Sequence, residues 1–371
     1  MKINYLKEKD SLDIPWIESP FFYELLKNDT SLTDKQKEMC IQYHEKGYLI
    51  IDLELTQEEI DPIVSDMYTA INDESTKYHA DHFTYTESKR IFEHWRKSKP
   101  IANLTMNSKI LETLSFLYGK EPFPFSTINF IKGSNQPLHS DIIHFHTVPA
   151  LWMVGVWVAF EDVDETNGSL KIIPGSHKWD LYEYHNLNLP HPDDIENGEA
   201  VNYEKYENFL IDLVEAKKAE PLIVKLKKGQ ALIWAANMLH GGCNVEGITD
   251  FNKTRLTQAN HYFFKGCDKH YHPMFSRPLE GIYAKKWCND ENNIKTGIVE
   301  LRYIDPRKIK KVREVKKKRD NKGTKGIEII ETTAEWFVYN EKGMSAATSN
   351  AGLKMSTNAS LIRESRLYSE P

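Results

Sequence analysis

With 371 residues, 40% of them hydrophobic and 27% charged, the chain holds apolar material for one large domain or two ordinary ones, in the balance of a soluble globular protein. A net charge of −6 excludes a global attraction to nucleic acid or anionic membrane, and no apolar run approaches the roughly 18–20 residues that a bilayer span needs. Cys40, Cys243, Cys267 and Cys288 show no CxxC spacing, which sets aside a structural zinc site and a disulfide framework.

The scattered cysteines make a reducing cytoplasm the expected location. In chain order, residues 1–10 are polar and lysine-bearing, without the apolar stretch of a secretory signal. The first 120 residues read as mainly helical. Thr33-Asp34 starts a helix over Lys35 to Tyr43, and Thr56 and Glu59 stand at capping-box spacing at the head of another. Between them, Gly47 to Ile51 suits a buried strand, and Ser108 to Tyr118 is amphipathic at helical spacing. After Gly119 the pattern changes. Phe125 to Lys132 and Leu151 to Phe160 read as strands, and Asn167-Gly168 predicts a hairpin turn into Ser169 to Ile173, closed by Pro174-Gly175. Pro221 to Leu226 and Ala231 to Trp234 follow around the Lys228-Gly229 turn, and Arg255 to Phe264 is the last clear strand.

Short strands separated by turns predict a mainly β fold, a sandwich or open barrel, with flanking helices. The expected organisation is a helical part over 1–120, a β core over 121–305 and a basic, polar extension over 306–371. Lys178 to Glu220 reads as a long polar, aromatic-sprinkled loop inserted in the core.

The chemistry centres on Pro137-Leu138-His139-Ser140-Asp141 and, about a hundred residues later, Leu239-His240-Gly241-Gly242. On a strand, residues two apart share a face, so His139 and Asp141 can bind one metal, with His240 from a distant strand as third ligand. Two imidazoles and a carboxylate suit non-haem Fe(II) and leave three positions open. Alone, a His-x-Asp triplet is weak evidence and reads first as a histidine bonded to a nearby carboxylate on a loop. Arg255, opening an apolar strand, is either an exposed strand-end cation or a bidentate grip for a buried carboxylate.

Residues Gln136 to Lys178 (QPLHSDIIHFHTVPALWMVGVWVAFEDVDETNGSLKIIPGSHK) and Gly229 to Phe264, with HxD, a Trp-rich strand, NGSL, PGSH and HG…R in this order, resemble the phytanoyl-CoA dioxygenase family. The resemblance covers the β core and implies a double-stranded β-helix, a jelly-roll of cupin type. It implies Fe(II) on His139, Asp141 and His240, 2-oxoglutarate held by Arg255, and dioxygen as co-substrate. Trp157 matches a tryptophan that lies against the co-substrate, or is simply a core aromatic, and Asn129 falls near a co-substrate contact. Thr257 stands ready to assist Arg255 or is an ordinary strand threonine. The stretch from Cys243 to Lys253 is longer than in many relatives, and the last fifty residues match nothing in the family.

The function expected is a 2-oxoglutarate-dependent dioxygenase that hydroxylates an unactivated C–H bond of a small polar metabolite. Rival readings are a non-catalytic ligand-binding barrel and a metal-dependent isomerase, which would not need Arg255. His144 and His146 read as supporting or loop residues rather than a second metal site, and Pro174-Gly175-Ser176-His177 as a structural turn. Trp179, Tyr182, Tyr184 and His185 are either pocket residues or a packed loop. The basic run Arg307 to Arg319 reads as a solvated face, with neither nucleic acid nor membrane expected as a partner.

Overall fold

The computed structural model describes residues 4–72, 90–134, 136–190, 198–243 and 253–267, with 269–271, 273 and the strand backbones of 283–287, 298–303 and 336–339. It divides into two compact units. The first comprises Met1–Asp141, Pro149–Leu181 and Glu204–Cys267, and the second Ile142–Val148, Tyr182–Tyr203 and Asp268–Pro371.

In the first unit, α1 (Phe22–Asn28) leads to α2 (Asp34–Lys46), where Thr33 and Gln36 form a reciprocal capping box. Gly47, at φ +79° in the left-handed region, stops α2 and turns the chain into β1 (Tyr48–Asp52). At the head of α3 (Gln57–Asn72) the Thr56 amide donates to Glu59 Oε2 at 2.8 Å. After β2 (Arg90–Phe92), α4 (Lys99–Thr105) and α5 (Ser108–Tyr118) precede β3 (Pro122–Phe130).

Two antiparallel sheets follow from the remaining strands. The second unit's α6 (Ile142–Phe145) and β4 (His146–Thr147) intervene before β5 (Met153–Ala159), β6 (Leu170–Ile172), α7 (Gly198–Ala216), β7 (Leu222–Ile223), β8 (Gln230–Ala235), β9 (His240–Gly242) and β10 (Thr257–Phe264). The larger sheet has the order β1-β8-β5-β10-β3-β2, the smaller β7-β6-β9. Register decides what each face of the larger sheet does. Phe130 pairs with Thr257, Trp157 with Ala259 and with Leu232, and Gly155 with Trp234, so these residues share one face. Phe130, Trp157, Leu232 and Trp234 join Ile172, Val224, Leu226 and Met238 in one buried cluster between the sheets. The opposite face carries Asn129, Gln258 and Tyr262 toward α4, where Gln258 Nε2 donates to Ile101 O at 3.4 Å and Tyr262 Oη to Thr105 O at 2.9 Å.

Three expectations need correction. Helix is at least as prominent as strand among the described residues, so the architecture is a large antiparallel sheet with helices rather than plainly mainly β. Asn167-Gly168 is not a hairpin turn. It lies between β5 and β6, which belong to different sheets, and Asp164 caps the 3-10 turn at Glu165–Asn167 while Gly168 takes φ +81°. The insertion after Lys178 is not all loop, because α7 occupies it and buries Tyr203, Tyr206, Leu210 and Val214 at helical spacing.

The second unit, taken by itself, pairs β4 with β11 (Lys269–Tyr271), which continues antiparallel through β12 (Tyr283–Trp287) and β13 (Ile298–Tyr303) to β14 (Trp336–Tyr339). Apart from β14, the expected extension over 306–371 lies outside the described residues, the basic run Arg307 to Arg319 included. No helix among the described residues is long and apolar enough to cross a membrane.

Candidate metal centre

His139, Asp141 and His240 come together in the first unit, each buried, with one ligand atom apiece inside a mutual distance of 4.8 Å. The backbone brings the two histidines together. His139 N donates to His240 O at 2.9 Å and His240 N to His139 O at 3.0 Å, a two-residue antiparallel bridge that continues β9. Asp141 is not on a regular strand as expected, since the chain turns into α6 directly after it. Gly241 permits the approach: a Cβ there would lie 2.8 Å from both Gln136 O and Pro137 O.

The imidazoles are oriented alike. His139 Nδ1 lies 2.9 Å from Pro137 O and His240 Nδ1 lies 3.0 Å from Met238 O, so each Nδ1 donates to a carbonyl and each Nε2 is turned toward Asp141. These Nε2 atoms stand 3.8 and 3.7 Å from Asp141 Oδ1. Burial works to raise the Asp141 carboxyl, but His240, His261, His139 and the Trp234 hydrogen bond outweigh it and hold it below the ordinary carboxylate value. An anionic oxygen and two basic nitrogens converging in a dry site form a donor set for a divalent transition metal.

Arg255 is 1% exposed, not the exposed strand-end cation. Its Nη1 donates to Gly168 O at 2.8 Å, while its Nε has no hydrogen-bond partner among the described residues. The guanidinium lies 4.9 Å from the Phe130 ring and 5.4 Å from the Trp157 ring, on the face of the sheet that also bears Trp234. Burial first, and then Arg90, pulls it down to about 9. A buried cation with an unused donor fits an anion such as the carboxylate of a diacid.

Asn129 is not brought to this site. Its Nδ2 donates to Gln258 Oε1 at 2.9 Å on the face that meets α4, opposite to Trp157. Thr257 lies on the site's face, its hydroxyl 3.5 Å from Arg255 O.

Four residues escaped the sequence reading. Arg90 Nη2 donates to Gln136 Oε1 at 3.0 Å, and Gln136 Nε2 lies 3.2 Å from His139 Nε2. The Arg90 guanidinium also sits 5.6 Å from the Phe130 ring. Its signal was available, because like Arg255 it opens a short apolar run. Trp234 Nε1 donates to Asp141 Oδ2 at 2.8 Å, and His261 Nε2 lies 3.9 Å from the same oxygen.

The Pro174-Gly175-Ser176-His177 turn braces this centre. Ser176 Oγ accepts from the Leu239 amide at 2.9 Å, Asn237 Nδ2 donates to His177 O, and His177 Nε2 donates to His44 O at 2.9 Å. In the second unit, His146 pairs with Glu183, His185 Nδ1 lies 3.2 Å from Glu183 Oε2, and His144 stacks on Tyr203 at 5.7 Å. Tyr184 is buried there, and in the first unit Trp179 takes Lys217 Nζ over its ring at 5.8 Å. Most of the Cys243 to Lys253 stretch lies outside the described residues.

The profile of the phytanoyl-CoA dioxygenase family matches residues 43–246, which include all three converging residues. A profile of bacteriophage T4-like portal proteins matches residues 280–370, mostly outside the described residues. Human peroxisomal phytanoyl-CoA dioxygenase is 27% identical over 176 residues, 44% of this chain and 45% of that protein. The dioxygenase FUM3 of Gibberella moniliformis is 33% identical over 86 residues, 20% of this chain and 28% of that one. The chain thus spans less than half the length of these curated relatives. Among solved structures, EctD from S. alaskensis with 2-oxoglutarate and 5-hydroxyectoine is 18% identical at a TM-score of 0.47, covering 68% of this chain and 84% of that one. The carbocyclase SnoK from nogalamycin biosynthesis is 15% identical at a TM-score of 0.48, covering 65% and 86%.

Proposed function

Because the chain belongs to the phytanoyl-CoA dioxygenase family, whose profile covers residues 43–246, we propose that it is an Fe(II)- and 2-oxoglutarate-dependent dioxygenase. The observation that supports this most is the convergence of His139, Asp141 and His240 within 4.8 Å in a buried site. Our reading of the fold is a double-stranded β-helix, supported by two antiparallel sheets packed face to face around the cluster of Trp157, Ile172 and Trp234.

In this reading His139 and His240 offer Nε2, Asp141 offers an anionic oxygen, and the three hold ferrous iron. Bound there, the metal supplies dioxygen activation coupled to oxidative decarboxylation of 2-oxoglutarate to succinate and carbon dioxide, with one oxygen atom going into a substrate C–H bond. The protein positions the reactants. Arg255 clamps the far carboxylate of the co-acid, using the Nε that has no partner among the described residues. Trp157 and Phe130 form apolar walls beside that guanidinium and keep water from it, which strengthens the ion pair. Arg90 adds positive charge to the same pocket and orients Gln136.

The substrate we propose is a small polar metabolite, a reading supported by the aromatic and histidine-bearing stretch Trp179, Tyr182, Tyr184 and His185. The test is a screen for substrate-stimulated succinate release by anaerobically reconstituted Fe(II) protein. Succinate formed only with both metal and 2-oxoglutarate supports the proposal. A protein that binds ligand yet forms no succinate under any condition refutes it.

A further inference from the structure

The two oxygens of Asp141 have different surroundings. Oδ1 faces the two histidine Nε2 atoms at 3.8 and 3.7 Å, whereas Oδ2 accepts the Trp234 indole N–H at 2.8 Å. We propose that Trp234 is a positioning residue that reserves Oδ2, so that Asp141 binds the metal through Oδ1 alone, and that Gly155 is the residue that admits the indole. This rests on the metal site proposed above.

The consequence is one of coordination number. A carboxylate can bind a cation through one oxygen or two. Two histidines with a two-oxygen carboxylate would fill four of six positions, leaving too few for a chelating 2-oxo acid together with dioxygen. With Oδ2 held, the protein fills three. An indole suits the task because its nitrogen is a donor only, so it can neither ligate the metal nor accept a proton. Its ring is fixed: Trp234 is buried, packs 5.1 Å from the His240 ring and meets His261 edge-on at 6.2 Å.

Gly155 pairs with Trp234 in register across β5 and β8. A Cβ at Gly155 would fall 2.1 and 2.2 Å from two atoms of the indole, so any other residue would displace the ring. Glycine inside a strand weakens it, and the place it leaves for a neighbouring group is the physical reason to keep one here.

The test combines Trp234→Phe, which keeps most of the ring and deletes the N–H, with Asp141→Asn. Fe(II) affinity is measured by anaerobic titration, and coordination number from the absorption intensity of the Co(II)-loaded protein. Trp234→Phe and Gly155→Ala should each lower the Co(II) absorption intensity, as a second carboxylate oxygen raises the coordination number. Each should also shift Fe(II) affinity by about 10- to 100-fold, the range for groups that orient ligands, and the variant carrying both changes should differ little from either single one. Asp141→Asn should lose Fe(II), because the indole donor holds the amide oxygen and turns the NH2 to the metal. Adding Trp234→Phe frees the amide to rotate and should recover affinity by about tenfold, a rescue that a merely structural tryptophan would not give. Unchanged Fe(II) affinity and Co(II) spectrum in Trp234→Phe, or absence of the rescue, would overturn the inference. If Trp234→Phe fails to fold, Gly155→Ala with unchanged affinity and spectrum does the same. Wild-type protein that binds no Fe(II) would instead overturn the proposed function.

Discussion

Replacing Arg255 by methionine separates two effects of its guanidinium. Among the described residues the group gives one hydrogen bond, to Gly168 O at 2.8 Å, and leaves Nε without a partner, and burial and then Arg90 pull it down to about 9. A base whose folded value is pulled well below its ordinary one, to about 9, costs stability at every pH below about 9, and the cost fades as pH rises above it. At neutral pH it is on the order of 5 kcal/mol before relaxation, against about 1 kcal/mol for the hydrogen bond lost. Arg255→Met should therefore melt no lower than the wild type without ligands, and several degrees higher if the cost is only partly relaxed. Ligand binding moves the other way. Removing one partner of a buried, hydrogen-bonded charge pair costs about 2–5 kcal/mol, so affinity for 2-oxoglutarate should fall by roughly 30- to 5,000-fold. Thermal melts of metal-free protein and anaerobic calorimetric titration of the Fe(II)-loaded protein measure the two effects. A metal-free variant melting several degrees below wild type, or one that binds 2-oxoglutarate within about threefold of it, would refute the reasoning.

Other perturbations test neighbouring parts of the account. Asp141→Ala should reduce 2-oxoglutarate decarboxylation by at least about 100-fold in a succinate assay, and retained turnover would contradict a ligand role. Gly241→Ala places a Cβ 2.8 Å from two main-chain oxygens that cannot swing aside, so it should separate the His139–His240 bridge. The expected result is a loss of about 1–3 kcal/mol in urea unfolding together with weakened Fe(II) binding. His177 is buried, donates Nε2 to His44 O, leaves Nδ1 without a partner among the described residues, and is lowered by burial to about 4. As pH falls from 6.5 the unfolded chain gains a proton that the folded one refuses until about 4, so stability drops across that window. Urea unfolding at about pH 7 and about pH 4 should show a wild-type loss from this source of up to roughly 3 kcal/mol, which His177→Gln lacks.

The parts of this protein written in local pattern were legible in its sequence. Ser108–Tyr118 is a helix over its expected span, because its apolar spacing and its Asn107 and Gly119 flanks act within a few residues. That His139, Asp141 and His240 come together was legible from residue type, because few side chains have the donor chemistry that such a cluster needs. What required tertiary register was not readable. Asn129 looked suited to a co-substrate contact, yet whether a strand residue faces the site or α4 depends on pairing parity, and Gln258 opposite it faces α4. Asn167-Gly168 has the composition of a hairpin turn, but the strands around it join different sheets, which no local signal records. Trp234 and Gly155 are a tryptophan and a glycine on separate strands until the register of β5 against β8 sets one over the other. The helix α7 was missed for a simpler reason. Its buried stripe of Tyr203, Tyr206, Leu210 and Val214 is present in a segment whose polar composition suggested loop.

Anaerobic Fe(II) titration of the wild type against His139→Ala, Asp141→Ala and His240→Ala tests the central claim most directly. One ferrous ion per wild-type chain and no stoichiometric binding in any of the three variants is the result predicted. Wild-type-like binding in His240→Ala would contradict it, because the residue distant in sequence would then have no part in holding the metal.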